Sequence, residues 1–215
     1  MDLRMSRLAT TLHDYCEAHS SQPDPVLYEL ERETGLKTLA PQMITGALQG
    51  QLLSLISRLK SPRRILEVGT FTGYATICLA RGLAAGGEMH TIEVNPELEY
   101  IIRKYLGKAG LTHQVQLHIG DALEIIPELP GEFDLIFLDA GKQHYERYYH
   151  QLIDRMPSGG LLLADNVLWS GKVLQKEQDK DTRVLHQFNE MIRDDDRVDK
   201  LMLPLRDGLF IIQKR

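Results

Sequence analysis

In FDLIFLDAGKQHY, residues 133–145, an apolar run stops at Asp139, and a base, Lys142, follows three positions later. A second apolar run, GLLLADNV, ends in Asp165 and Asn166. Two carboxylates and one amide oxygen, with no His or Cys clustered beside them, are hard oxygen ligands. They suit Mg²⁺, Mn²⁺ or Ca²⁺, with water or substrate completing the shell. Helix capping would account for either acid alone. Acids that terminate two adjacent buried strands, however, bring two negative charges close, and these repel unless a cation separates them. Lys142 reads either as a structural counter-ion or as a base. Beside a divalent cation, the pair becomes an acid that holds metal and a lysine that takes a proton from a hydroxyl.

A second group of residues points to a ligand at the same edge. ILEVGTFTGYA places Gly69 and Gly73 between a strand and a helix, where a ligand can approach the backbone closely. The spacing is G-x-x-x-G, which counts against the dinucleotide fingerprint G-x-G-x-x-G. TIEVNP puts Glu93 at the tip of the next strand, about 20 residues past the loop, where an acid suits a ribose diol. Its alternative is an acid favoured by a helix N-terminus near Pro96. HIGDA puts Asp121 at the tip of the third strand, with an N-cap as its alternative. Gly69, Glu93 and Asp121 together favour an adenosine-type ligand.

These tips need strands to carry them. RILEVG, EMHTIEV, VQLHIG, FDLIFLD and GLLLADNV are short apolar runs alternating with helical stretches over YATICLARGLAA, after Pro96, before Pro127 and through HYERYYHQLIDRM. That rhythm argues for a parallel sheet covered by helices on both faces. After a polar loop, 170–181, a helix is expected near Thr182–Arg193. In DKLMLPLRDGLFIIQKR, two apolar runs meeting at Asp207-Gly208 read as an antiparallel hairpin. Upstream, three helices are expected. One spans 3–19, one lies in PDPVLYELERETG with Gly35 as its stop, and one runs through MITGALQGQLLSLISRL to Ser61-Pro62.

The chain has 215 residues, 43% hydrophobic and 26% charged, which fits one soluble domain with a full core, here with residues 1–40 as a helical extension. A net charge of −5 speaks against a broad phosphate-backbone binder. Cys16 and Cys78 make neither a disulfide framework nor a thiolate metal site, so a reducing cytoplasm is the expected home. The first twenty residues do not read as a secretory leader, and no apolar stretch reads as a membrane span.

ILEVGTFTGYA, TIEVNP, GDALE, FDLIFLDAGKQHYERYY and GLLLADNVLWSGKV resemble the cation-dependent class I O-methyltransferases, which include the catechol and caffeoyl-coenzyme A enzymes. The resemblance runs from about Pro41 onward, and FLDAGK with LLADNVLW is its most specific part. It implies a Rossmann-like α/β fold with a seven-stranded sheet, and S-adenosylmethionine as methyl donor. It implies Asp139, Asp165 and Asn166 as ligands of Mg²⁺ (or Mn²⁺ or Ca²⁺), and Lys142 as general base. On the donor side it implies Glu93 at the ribose, and Glu67, Gly69 and Tyr74 at the donor loop. Asp121 and Ala122 fall at the adenine, Met43 falls near the sulfonium, and Asp139 also borders the donor.

The implied reaction is methylation of a vicinal dihydroxy aromatic acceptor. Trp169 is a candidate wall for its ring, with ordinary core packing as the alternative. The mammalian catechol enzyme has an acid near its C-terminal hairpin, whereas LPLRDG here has none just before Arg206. Arg206 therefore reads either as a contact for an anionic substrate or as a surface charge. Tyr28 and Arg32 are candidates for the substrate mouth or the contact of a homodimer. A competing reading within the family is methylation of a hydroxylated wobble uridine in tRNA, which a basic patch at Arg58, Lys60, Arg63 and Arg64 would support. A dehydrogenase lacks its glycine fingerprint, a Ser-His-Asp hydrolase lacks G-x-S-x-G, and a non-catalytic binding module has no need of Lys142 beside the acids.

Overall fold

The computed structural model describes residues 3–215, with residues 3–10 described by their backbone alone. Three helices come first: α1 (Leu3–Ala18), α2 (Pro25–Lys37) and α3 (Ala47–Lys60). Alternation then begins with β1 (Arg64–Val68), α4 (Tyr74–Ala80), β2 (Glu88–Glu93), α5 (Glu99–Lys108) and β3 (Val115–Ile119). It continues with α6 (Ala122–Glu128), β4 (Leu135–Leu138), α7 (Tyr145–Ile153), β5 (Leu161–Asp165) and α8 (Lys180–Asp194). A hairpin of β6 (Val198–Leu203) and β7 (Leu209–Lys214) follows.

The seven strands form one sheet in the order β3-β2-β1-β4-β5-β7-β6. β1 to β5 pair in parallel, and β7 pairs antiparallel with both β5 and β6. Side chains alternate across the sheet, as strand geometry requires. Leu66, Val68, Ile136, Leu138, Leu162 and Ala164 enter the core beneath α6, α7 and α8. Ile65, Leu135, Phe137 and Leu163 enter the opposite core, beneath α2 to α5. Burial on both faces explains why these strands read as continuous apolar runs. The order turns back between β1 and β4, and there a crevice opens beyond the carboxyl ends of the strands.

Four boundaries differ from the sequence expectation. Gly35 does not stop α2, which runs on to Lys37 and ends where the Thr38 N–H bonds the Thr34 carbonyl. The third helix starts at Ala47, because Gly46 at φ +76° breaks it from a 3-10 turn over Pro41–Met43. α4 ends at Ala80, well short of Ala85. The hairpin turns through residues 204–208, with Arg206 and Gly208 at positive φ, so Asp207-Gly208 is not a two-residue turn. The extension is also more than an appendage, since α2 buries Leu27, Leu30 and Thr34. Both cysteines are free, Cys16 exposed and Cys78 buried. Among the described residues no helix is long and apolar enough to cross a membrane.

Candidate active site

The loops after β1 and β4 touch at the crevice. Gly69 has φ +99°, and a Cβ there would lie 1.9 Å from the Asp139 carbonyl oxygen. Only glycine fits that close approach and that dihedral. The Asp139 N–H bonds the Val68 carbonyl at 2.9 Å, which fixes Asp139 at the tip of β4 beside the glycine loop. Met43, Thr45, Gly69, Tyr74, Phe137 and Asp139 line one cleft. Met43 is largely exposed at its rim, while Tyr74 is buried at the start of α4.

Asp139 and Lys142 meet directly, with Lys142 Nζ 2.9 Å from Asp139 Oδ1. Nζ also donates to the Tyr145 hydroxyl at 2.8 Å. That hydroxyl in turn donates to the Asp165 carbonyl at 2.9 Å, with the Leu138 carbonyl a second acceptor at 3.2 Å. Tyr145 is fully buried, and burial pushes its pKa well above the ordinary phenol value, so it stays neutral. The tips of β4 and β5 are thereby joined by Asp139, Lys142 and Tyr145.

Asp165 is buried at the end of β5. Its Oδ1 accepts from the Asn166 N–H at 2.8 Å, and its Oδ2 accepts from Gln49 Nε2 at 2.6 Å. Burial, and after it the nearby Asp139 carboxylate, raises the Asp165 pKa to about 6. Asn166 follows in the left-handed region at φ +60°. Among the described residues no group of three His, Cys, Asp or Glu side chains forms a metal cluster. The set that the resemblance implies, Asp139, Asp165 and Asn166, offers two carboxylates and an amide, all oxygen. Two acids close enough to perturb one another, with an unpartnered oxygen on the buried Gln49 amide that bonds Asp165, fit a hard divalent cation.

On the donor side, Glu93 is buried at the tip of β2, where burial raises its pKa. Its oxygens accept from the Phe71 N–H at 2.7 Å and the Asn95 N–H at 2.8 Å, which locks it beside the glycine loop. Glu67 lies deeper and is fully buried, accepting from the Thr76 and Thr91 hydroxyls at 2.5 and 2.6 Å. Asp121 caps α6, accepting from the Leu123 N–H at 2.8 Å, and Ala122 is the buried first residue of that helix.

Trp169 packs partly buried against the core under α7 and α8, with Lys172 Nζ 5.9 Å from its ring centre. Core packing is therefore what its contacts display. The guanidinium of Arg206 is engaged by backbone carbonyls: Ile44 at 2.7 Å, Thr45, and Gln42 at 3.5 Å. Those contacts make Arg206 a strap between the hairpin and residues 42–45. Arg206 is nonetheless exposed, as a surface hairpin charge would be. Tyr28 and Arg32 are exposed on the outer face of α2.

Two residues of the site escaped the sequence reading. Tyr145 carried a usable signal, standing three residues after Lys142 at a helix start. Gln49 carried a weaker one, an amide on the buried stripe that also holds Leu53 and Ser57.

A glycine loop at the turning point of a mostly parallel sheet, with acids and a lysine at the tips of neighbouring strands, defines a Rossmann-like architecture with a ligand crevice. The sequence profile described as O-methyltransferase matches residues 17–215, and the chain belongs to that family. The catechol O-methyltransferase of Niastella koreensis is 36% identical over 170 residues, 77% of each chain. Caffeoyl-CoA O-methyltransferase 1 of Nicotiana tabacum is 32% identical over 206 residues, 90% of this chain and 85% of the relative. The O-methyltransferase TomG of Streptomyces achromogenes, solved in complex with SAM, superposes with a TM-score of 0.88 at 30% identity. That alignment covers 95% of this chain and 96% of TomG.

Proposed function

We propose that this chain transfers the methyl group of S-adenosylmethionine to a hydroxyl of a catechol-type aromatic, with a divalent cation bound at Asp139, Asp165 and Asn166. The reading is carried by the joined array of Asp139, Lys142, Tyr145 and Asp165 at the mouth of the glycine-loop cleft. The names of the relatives, catechol and caffeoyl-CoA O-methyltransferases, support it.

A divalent cation held by Asp139, Asp165 and Asn166 would supply Lewis acidity and a template for two neighbouring hydroxyls. The chain's own residues do the rest. The Lys142 amine takes the proton of the reacting hydroxyl. The ammonium then keeps the two partners it has here, Asp139 Oδ1 and the Tyr145 hydroxyl. Tyr145 fixes the position of Nζ and, being neutral, adds no competing charge. Glu93 is oriented for the ribose by the Phe71 and Asn95 N–H groups, and Gly69 keeps the floor of the cleft free of a side chain. Met43 borders the sulfonium, and Asp121 and Ala122 flank the adenine. Holding donor and acceptor in line is the larger part of the catalysis, because the donor already carries a good leaving group.

The deciding assay is methyl transfer from labelled S-adenosylmethionine to 3,4-dihydroxybenzoate or caffeate, with Mg²⁺ and then with EDTA. Transfer that EDTA abolishes is the expected result. Bulk tRNA runs in parallel, and methylation of tRNA alone would replace the small-molecule acceptor. In the basic stretch tied to that alternative, Lys60 bonds the Gly159 carbonyl and Arg64 pairs with Glu88, so two of the four cations are turned to the protein itself.

A further inference from the structure

Gln49 sits in the first turn of α3, is 1% exposed, and reaches across the fold to a residue 116 positions away. Its Nε2 donates to Asp165 Oδ2 at 2.6 Å, while its Oε1 is buried without a hydrogen-bond partner. A buried carbonyl oxygen left unpaired is costly, and an apolar side chain of the same size would avoid that cost. The amide is therefore there for what it does to Asp165. The other oxygen, Oδ1, is held by the Asn166 N–H at 2.8 Å. With a donor on each oxygen, the carboxylate is fixed in its plane and in its tilt.

We propose that Gln49 is the positioning residue of the cation site: with the Asn166 N–H already on Oδ1, its amide on Oδ2 locks the carboxylate in orientation and disfavours ligation through both oxygens at once, and so selects a small octahedral cation over a larger one. This rests on the cation-dependent reading given above. Mg²⁺ takes six ligands in near-ideal octahedral geometry and keeps several of its waters. Ca²⁺ takes six to eight, commonly with a carboxylate bound through both oxygens. A short hydrogen bond on Oδ2 competes with two-oxygen ligation and penalises the larger ion. The orphaned Oε1 belongs to the same amide and so lies at the same edge of Asp165. A cation that keeps its waters brings the O–H donor that Oε1 lacks. Outer partners of this kind orient ligands and typically change metal affinity by 10–100-fold when removed.

The test uses the full chain and its Gln49→Met variant, which keeps length and apolar bulk but has no donor. Mn²⁺ binding is followed by electron paramagnetic resonance, with Mg²⁺ and Ca²⁺ as competitors. S-adenosylhomocysteine affinity serves as the check on folding. The expected result is Mn²⁺ binding weakened ~10-fold or more, with the Mg²⁺-to-Ca²⁺ affinity ratio moved toward Ca²⁺. The affinity for S-adenosylhomocysteine stays as in the wild type, and kcat falls while KM for the donor holds. Unchanged Mn²⁺ affinity and an unchanged ratio would overturn the role of Gln49 alone. A wild-type chain that binds no Mn²⁺ would overturn the cation reading and this inference with it. If Gln49→Met does not bind S-adenosylhomocysteine, Gln49→Asn, too short to reach Asp165, must give the same two shifts or the proposal falls.

Discussion

Glu67 is sealed between β1 and α4, and burial lifts its carboxyl from an ordinary 4.5 to about 8. The two threonine hydroxyls on Oε2 pull the other way, and the second oxygen has no partner. The folded chain therefore keeps this group protonated at pH values where the unfolded chain ionises it. Its contribution to stability is complete below the unfolded value and is lost as pH rises through the folded one. A shift of this size costs the folded state on the order of 1 kcal/mol per pH unit between the two values, and on the order of 5 kcal/mol over the full span. Glu67→Gln keeps the volume and an oxygen for Thr76 and Thr91 but cannot titrate. Urea unfolding of the ligand-free protein at pH 5, 6, 7 and 8 gives the stability of each form. Taking the difference between variant and wild type removes other titrations, such as that of His90, whose pKa burial depresses and whose effect therefore appears on the acid side. The variant should gain on the wild type by on the order of 1 kcal/mol per pH unit between pH 5 and 7, with the gain levelling off as pH passes the folded value near 8. A difference that stays flat with pH would refute a protonated Glu67.

Lys142→Ala should lower kcat by about 10²–10⁴-fold, the usual worth of a positioned base, with S-adenosylhomocysteine affinity kept; near-normal turnover would remove Lys142 as the base. Asp165→Ala should abolish the EDTA-sensitive part of the activity, and a variant that responds to EDTA as before would sink its assignment as a ligand. Gly69→Ala should cost on the order of 3 kcal/mol or more in urea unfolding and weaken donor binding, because its Cβ meets the Asp139 carbonyl at 1.9 Å. Leu30→Ala should cost ~2–5 kcal/mol, and a change below ~1 kcal/mol in urea unfolding would show that α2 is not part of the core.

β1, β2, β4 and β5 were legible because each is buried on both faces and so stands out as an apolar run between turn residues, whereas β3 and β6 are only partly buried. The acids at their tips were legible for the same reason, since a charge directly after such a run is conspicuous. Helix starts and ends were less so. Gly35 is a good stopping residue by type, but α2 is held past it by Thr38, whose N–H and hydroxyl both bond the Thr34 carbonyl. Arg206 and Gln49 were opaque for a common reason. Each acts on a segment more than a hundred positions away, and only the closed sheet brings those segments together. Trp169 was ambiguous in the sequence because its type suits a pocket wall and a core equally, and its packing against the core under α7 and α8 depends on the folded chain.

The hairpin has a consequence for the order in which the site comes into being. β7 lies between β5 and β6, so the edge of β5 stays unpaired until residues 209–214 have been made. The same late segment carries the Arg206 strap to residues 42–45, joining points 162 positions apart, and bonds Val167 and Leu168 just past the paired acids. A growing chain holding every residue through α8 therefore has its acids in place on an open strand edge, the kind of edge that invites pairing with another chain. Contacts of such sequence separation also form slowly. The strand that covers the β5 edge is thus also the one that ties down the residues just past the acids, so protection against edge pairing and closure of the reactive end are the same event.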